Sequence, residues 1–149
     1  MADFDTLSAL KPLVQSVPDL AGGRTLEAAD LAELIRQQAL PNNPATAFLV
    51  PTGLRPRGEG DAGASAFIQS IDEMVAVVLV VRTAADVTGA KGLPRVNALV
   101  WAVIGAVAGG DVEDAIGVFR FAGGQLHSVT AGAIFYQVNF AIQLQLRSF

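Results

Sequence analysis

Few side chains in this sequence stand where chemistry would need them. His127 is the only histidine, and a base–nucleophile pair would have to join it to Ser128. Adjacent residues on a strand point to opposite faces, so these neighbours do not form one. His127 reads as a surface or turn residue. Asp111, Glu113 and Asp114 make the one acidic cluster. A calcium loop would need further oxygen ligands at set spacing and a closing bidentate glutamate, which are missing. The cluster reads as a solvated turn. Residues 58–63 (GEGDAG) have the glycine content of a phosphate-binding loop. They lack its lysine and hydroxyl, carry two carboxylates that would repel phosphate, and follow no strand-to-helix turn. Asp72 and Glu73 diverge on a strand and give no paired general acid and base. No cysteine is present, which removes disulfides and thiolate chemistry. Nothing here supports an enzyme, a cofactor or a metal site.

The bulk composition points elsewhere. The 149 residues suffice for one domain with a real core. Hydrophobic residues make up 52% and charged residues only 16%, a balance that suits a membrane segment or a chain that buries surface in an assembly. The longest apolar runs, 74–81 and 98–110, are shorter than the roughly 20 residues of a spanning helix. The N-terminus carries Asp3 and Asp5 and lacks the basic start and apolar core of a signal peptide. Synthesis in the cytoplasm and no membrane partner are therefore expected. Nucleic-acid binding is not expected: net charge is −4, and the ten basic residues are scattered without a positive stripe. The closest basic pair, Arg55 and Arg57, faces Glu59 and Asp61.

The elements that would position any surface begin with a narrow helical stripe, Leu7, Leu10, Val14 and Val17. Pro12 interrupts it, so this helix is kinked or starts near Lys11. A second helix is expected over about 26–38, capped by Thr25 and ended by the Pro41–Pro44 turn. Residues 45–51 read as a strand. Residues 52–66, rich in glycine and mixed charge, read as a long flexible hairpin loop. A second strand starts near Phe67, and its 74–81 run is apolar on both faces. Residues 82–92, with Asp86 and Gly89, read as a connection. A helix follows at 94–108, then the acidic turn, a strand at 116–122 and a tight turn at Gly123-Gly124. Last comes the clearest pattern in the chain: every even position from Ile134 to Leu146 is apolar, whereas Gln137, Asn139, Gln143, Gln145 and Arg147 occupy odd ones. Period two over that length is a strand with one buried face. The even face, with Tyr136, should be core. Phe135 is the better exposed aromatic, and the amide row reads either as a solvated face or as a polar contact surface.

The expected fold is α+β: a mainly antiparallel sheet with helices packed on one face, in a single domain. Helices on one side would leave the doubly apolar 74–81 run without a second cover. A neighbouring subunit would supply it, and on that ground an oligomer is expected. A sheet curled over itself is the alternative.

Taken together, PATAFLVP at 44–51, the glycine-rich loop, QSIDEMVAVVLVVR at 69–82, Asp86 and Gly89, the helix at 94–108 and GGQLHSVTAGAIFYQVNFAIQLQLR at 123–147 resemble the tail terminator (tail completion) proteins of long-tailed phages and prophages. The resemblance covers most of the chain in order, on positions that are mainly structural. It implies a hexameric ring that caps the tail tube at its head-proximal end, stops polymerisation and offers a surface to the head–tail connector (neck) protein. The partners so implied are further copies of the chain, the tail tube protein and the connector, in a virion assembled in the host cytoplasm. The run 54–64 departs from the pattern in length. The contact candidates are Arg55, Arg57, Glu59 and Asp61 on the loop, with Phe135, Gln137, Asn139, Gln143, Gln145 and Arg147 on the last strand. A connector, stopper or minor tail subunit is the nearest competing reading, and a small ligand-binding domain or enzyme the more distant one.

Overall fold

Strand length organises this molecule. The computed structural model describes residues 5–63, 66–83, 92–113, 115–130 and 132–148; Asp86, Gly89 and Asp114 lie outside them. Among the described residues, β1 (Thr25–Glu27), β2 (Ala45–Ala62), β3 (Phe67–Arg82), β4 (Arg120–Val129) and β5 (Ala133–Ser148) form one sheet in the order β1-β2-β3-β5-β4. Only β1–β2 is parallel; the other three pairings are antiparallel. Three α-helices accompany it: α1 (Thr6–Gln15), α2 (Ala28–Gln37) and α3 (Gly92–Val107). The α+β class and the mainly antiparallel sheet are as the sequence pattern predicts.

Both β3 and β5 have 16 residues, as does α3. At about 3.3 Å per strand residue against 1.5 Å per helix residue, the strands run about twice as far as the helix. Helices can therefore cover only part of the sheet. Burial follows that limit: β2 is buried from Ala45 to Leu49 and exposed from Pro51 to Ala62, while β3 is fully buried only beyond Met74. The remainder of β2, β3 and β5 continues past the helices as a three-stranded ribbon.

One face of the sheet carries α1 and α3. Leu10 and Val14 from α1 join Val96, Leu99, Val100, Val103 and Val107 from α3 over Val75, Val77, Leu79, Ile134, Val138 and Ile142. Asp5 caps α1 through Ser8 N–H, and the helix runs through Pro12, with the Ser16 amide still reaching the Pro12 carbonyl at 3.0 Å. Proline lacks the N–H and crowds the preceding turn, yet the helix starts at Thr6 rather than near Lys11.

The opposite face corrects one expectation. Phe48, Val80 and Ala133 form a second cluster with Leu31 and Leu34 of α2. The second cover of the 74–81 run is thus α2 of the same chain, not a neighbouring subunit, and this run gives no ground for an oligomer. Thr25 does not cap α2: it lies in β1 and donates to the Leu20 carbonyl at 2.7 Å, while Glu27 and Asp30 form the capping box.

Two further boundaries differ. Residues 52–62 are not a loop but strand, paired with β3 as far as Ala62↔Phe67. Their irregular sequence is absorbed by bulges between Pro51 and Gly53 and between Arg57 and Asp61. Gly58 and Gly60 sit in the second bulge at φ of 83° and 85°, a left-handed conformation that glycine adopts without penalty. Gly123-Gly124 is likewise not a turn. It lies inside β4, at a bulge between Phe121 and Gly123, and the chain turns after Val129.

Candidate assembly surface

Register decides which of the candidate residues meet. After the first bulge in β2, Arg55 pairs with Asp72 and Asp72 with Gln143; Arg57 pairs with Ser70 and Ser70 with Gln145. Further out, Asp61 and Arg147 flank Ile68. The loop group and the amide row, separate in sequence, are therefore parts of one cross-strand surface. It lies on the α2 side of the sheet, beyond the end of that helix. Glu59 falls in the bulge, where Gln69 Nε2 donates to the Gly58 carbonyl at 3.1 Å.

Phe135 stands apart. It is half-buried and packs on Phe48 and Val80 beside α2, so it belongs to the second core cluster instead of serving as the exposed aromatic anchor that its position suggests.

The amide row is organised by its own hydrogen bonds. His127 Nε2 meets Gln137 Oε1 at 2.6 Å, and Gln137 Nε2 donates to Asn139 Oδ1 at 2.6 Å. Arg147 Nε donates to Gln145 Oε1 at 2.6 Å. Residues two apart on a strand share a face, which is why these side chains reach one another. Beside them Thr52, Arg55, Met74, Ala122, Gln137 and Asn139 line an open, mainly polar depression of about 390 Å³.

At the base of the ribbon sits a group whose partners lie far off in sequence. Asp72 Oδ2 accepts from Arg120 Nη2 at 2.8 Å and faces Arg57 Nε at 3.2 Å, so one carboxylate ties β2, β3 and β4 together. Its side chain is 15% exposed, and its Oδ1 is buried with no hydrogen-bond partner among the described residues. Glu73 turns to the other face and accepts from Thr6 Oγ1 of α1. The two adjacent carboxylates do diverge, each to a structural partner. Spacing gave no sign of Arg120, which lies 48 positions from Asp72.

Chemically, this surface can donate and accept hydrogen bonds and form ion pairs. Arg55 has no ion pair among the described residues, and two arginines share the single charge of Asp72. Among the described residues no group of acids and histidine could hold a metal. No helix there is long and apolar enough to cross a membrane. Sequence reasoning missed the exposed apolar side chains of β4, Phe121, Leu126 and Val129. They pair with Phe140, Tyr136 and Ile134 on the α3 side, and the two bulges in β4 break the alternation that would have placed them.

Comparison with known proteins agrees with this architecture. The profile of a protein family described as phage tail terminator protein matches residues 1–148. A search of curated protein sequences finds no match. Among solved structures, a chain from the virion of the native gene transfer agent (GTA) particle shares the fold, with a TM-score of 0.53, 15% sequence identity and 95% of each chain covered.

Proposed function

This chain belongs to the phage tail terminator family, and on that premise we propose that it forms a closed homo-oligomeric ring, six copies by the family resemblance, on the last ring of the tail tube. There it stops polymerisation and presents a surface to the head connector. Membership itself makes the chain a structural protein of a phage-type tail.

The observation that carries the reading is the ribbon. The strands outrun their helices and end in a surface of arginines and hydrogen-bonded amides. A terminator must bind a growing end tightly without copying it. A polar extension paired across three strands suits that purpose, because the pairing limits the ordering entropy lost on binding.

Light scattering of the purified protein, with and without cognate tail tubes, tests the proposal. The expected result is a closed ring, either free or formed at one end of the tube. A protein that stays monomeric at high concentration and also leaves tubes undecorated would contradict it. Decoration of the head portal in place of the tube end would favour the connector or stopper reading.

A further inference from the structure

We infer that neighbouring copies in the ring meet edge to edge, with the acidic loop that follows α3 in one copy seated against the Leu54–Arg55 edge of β2 in the next. This rests on the ring reading above and adds to it the surfaces that make the contact.

Two edges end the same cross-strand row. Arg55, Asp72 and Gln143 are in register across β2, β3 and β5. Past Leu49, β2 has lost its outer neighbour β1, so Leu54 and Arg55 form the outermost strand at this level. Leu54 is 66% exposed, and Arg55 has no ion pair among the described residues. At the other end of the row β4 has stopped. There the amides of Ile116 and Gly117 both donate to the Gln143 carbonyl at 3.2 Å, continuing the sheet's far edge.

That second edge is acidic and apolar. Asp111 and Glu113 are exposed and have no ion pair among the described residues. Ile116 and Val118 are 51% and 44% exposed. The loop is also held in place. Gly109 N–H donates to the Phe119 carbonyl at 2.8 Å, Phe119 N–H donates to Gly110 at 2.9 Å, and Asp111 bridges Val118. Val112 and Phe119, at 6% and 1% exposure, anchor its base in the core. Thus one edge offers an unpaired cation beside an exposed leucine, and the other offers two unpaired carboxylates beside an isoleucine and a valine.

The two edges are different and face opposite ways along the row, so their contact is heterologous. Each copy gives one edge and receives on the other, the arrangement that generates a ring where the rotation closes, rather than a twofold dimer. Charge complementarity sets the register and excludes the like-with-like contact of two acidic loops.

The chain has no cysteine, which makes a cross-linking test clean. Leu54→Cys combined with Ile116→Cys introduces the only two thiols. Mild oxidation of the assembled protein, on tail tubes where assembly needs them, should give a ladder of covalent oligomers that ends at the ring size. Either single variant should give none. Arg55→Glu should weaken assembly about tenfold or more, and Arg55→Glu with Glu113→Arg should regain most of it. Circular dichroism confirms that each variant is folded. A ring without a ladder, a dimer from either single variant, or a charge swap that fails to recover overturns the edge assignment and leaves the ring reading standing. Absence of a ring from the unmodified protein, both free and on tubes, overturns the ring reading and this inference with it.

Discussion

Replacing Asp72 by asparagine removes the charge that ties the ribbon to the body while keeping its volume. The carboxylate is 15% exposed and both guanidiniums that reach it are 45% exposed. A hydrogen bond to a charged group contributes about 1.5–3 kcal/mol. With the arginines half in water, each contact falls toward the about 0.2–1 kcal/mol of exposed pairs. Neutralising Asp72 also relieves the cost of holding a charge away from water, beside an Oδ1 that has no partner. The net expectation is a loss of about 1–2 kcal/mol, which for a chain of this size lowers Tm by about 2–8 °C. Scanning calorimetry at low and high salt reads it, and part of the loss should survive high salt because the carboxylate is largely dry. Arg57 and Arg120 share one oxygen, so Arg57→Ala or Arg120→Ala alone leaves Asp72 a cation. Removing both strands the carboxylate and should cost more than the sum of the single changes. An unchanged Tm for Asp72→Asn, or strictly additive arginine effects, would refute the account of this group.

Other expectations follow from burial and backbone geometry. Phe48→Ala empties the fully buried centre of the α2 cluster and should cost about 3–5 kcal/mol in urea titrations, whereas Phe121→Ala, at a site 48% exposed, should leave the folded chain's stability within about 1 kcal/mol. Thr46→Val should stabilise by about 1 kcal/mol, because the Thr46 hydroxyl is buried without a partner among the described residues. Gly60→Ala would place its Cβ 2.7 Å from the Phe67 ring and 2.9 Å from the Ile68 carbonyl, at a positive φ; a loss of about 1–3 kcal/mol, seen by thermal melting, is expected. Gln143→Glu with Gln145→Glu adds charge to the ribbon's polar face. It should abolish assembly on tubes while the circular dichroism of the free chain stays unchanged.

How much of this could be read from the sequence depends on range. The last strand was legible because period-two alternation is local, and the even face of β5 is the core side as that pattern requires. The doubly apolar run of β3 was equally plain, but what covers it was not. Leu31 and Leu34 of α2 reach Phe48 and Val80 on the second face, and no periodicity says on which side of a sheet a helix lands. The 52–62 stretch looked like a loop because bulges at Pro51/Gly53 and Arg57/Asp61 destroy alternation while pairing with β3 persists. The candidate surface was legible only in pieces. Residue types marked Arg55, Arg57 and the amides; their convergence came from register, and the Asp72 link to Arg120 from a contact across 48 positions.

The proposed role is to end tail growth. Electron micrographs of particles made by the encoding phage or prophage, with the gene intact and with it deleted, measure that directly through tail length and head attachment. The account predicts that deletion gives tubes of uncontrolled length without heads, and that supplying the protein restores uniform, headed tails. Headed tails of normal length in the deletion strain would contradict it.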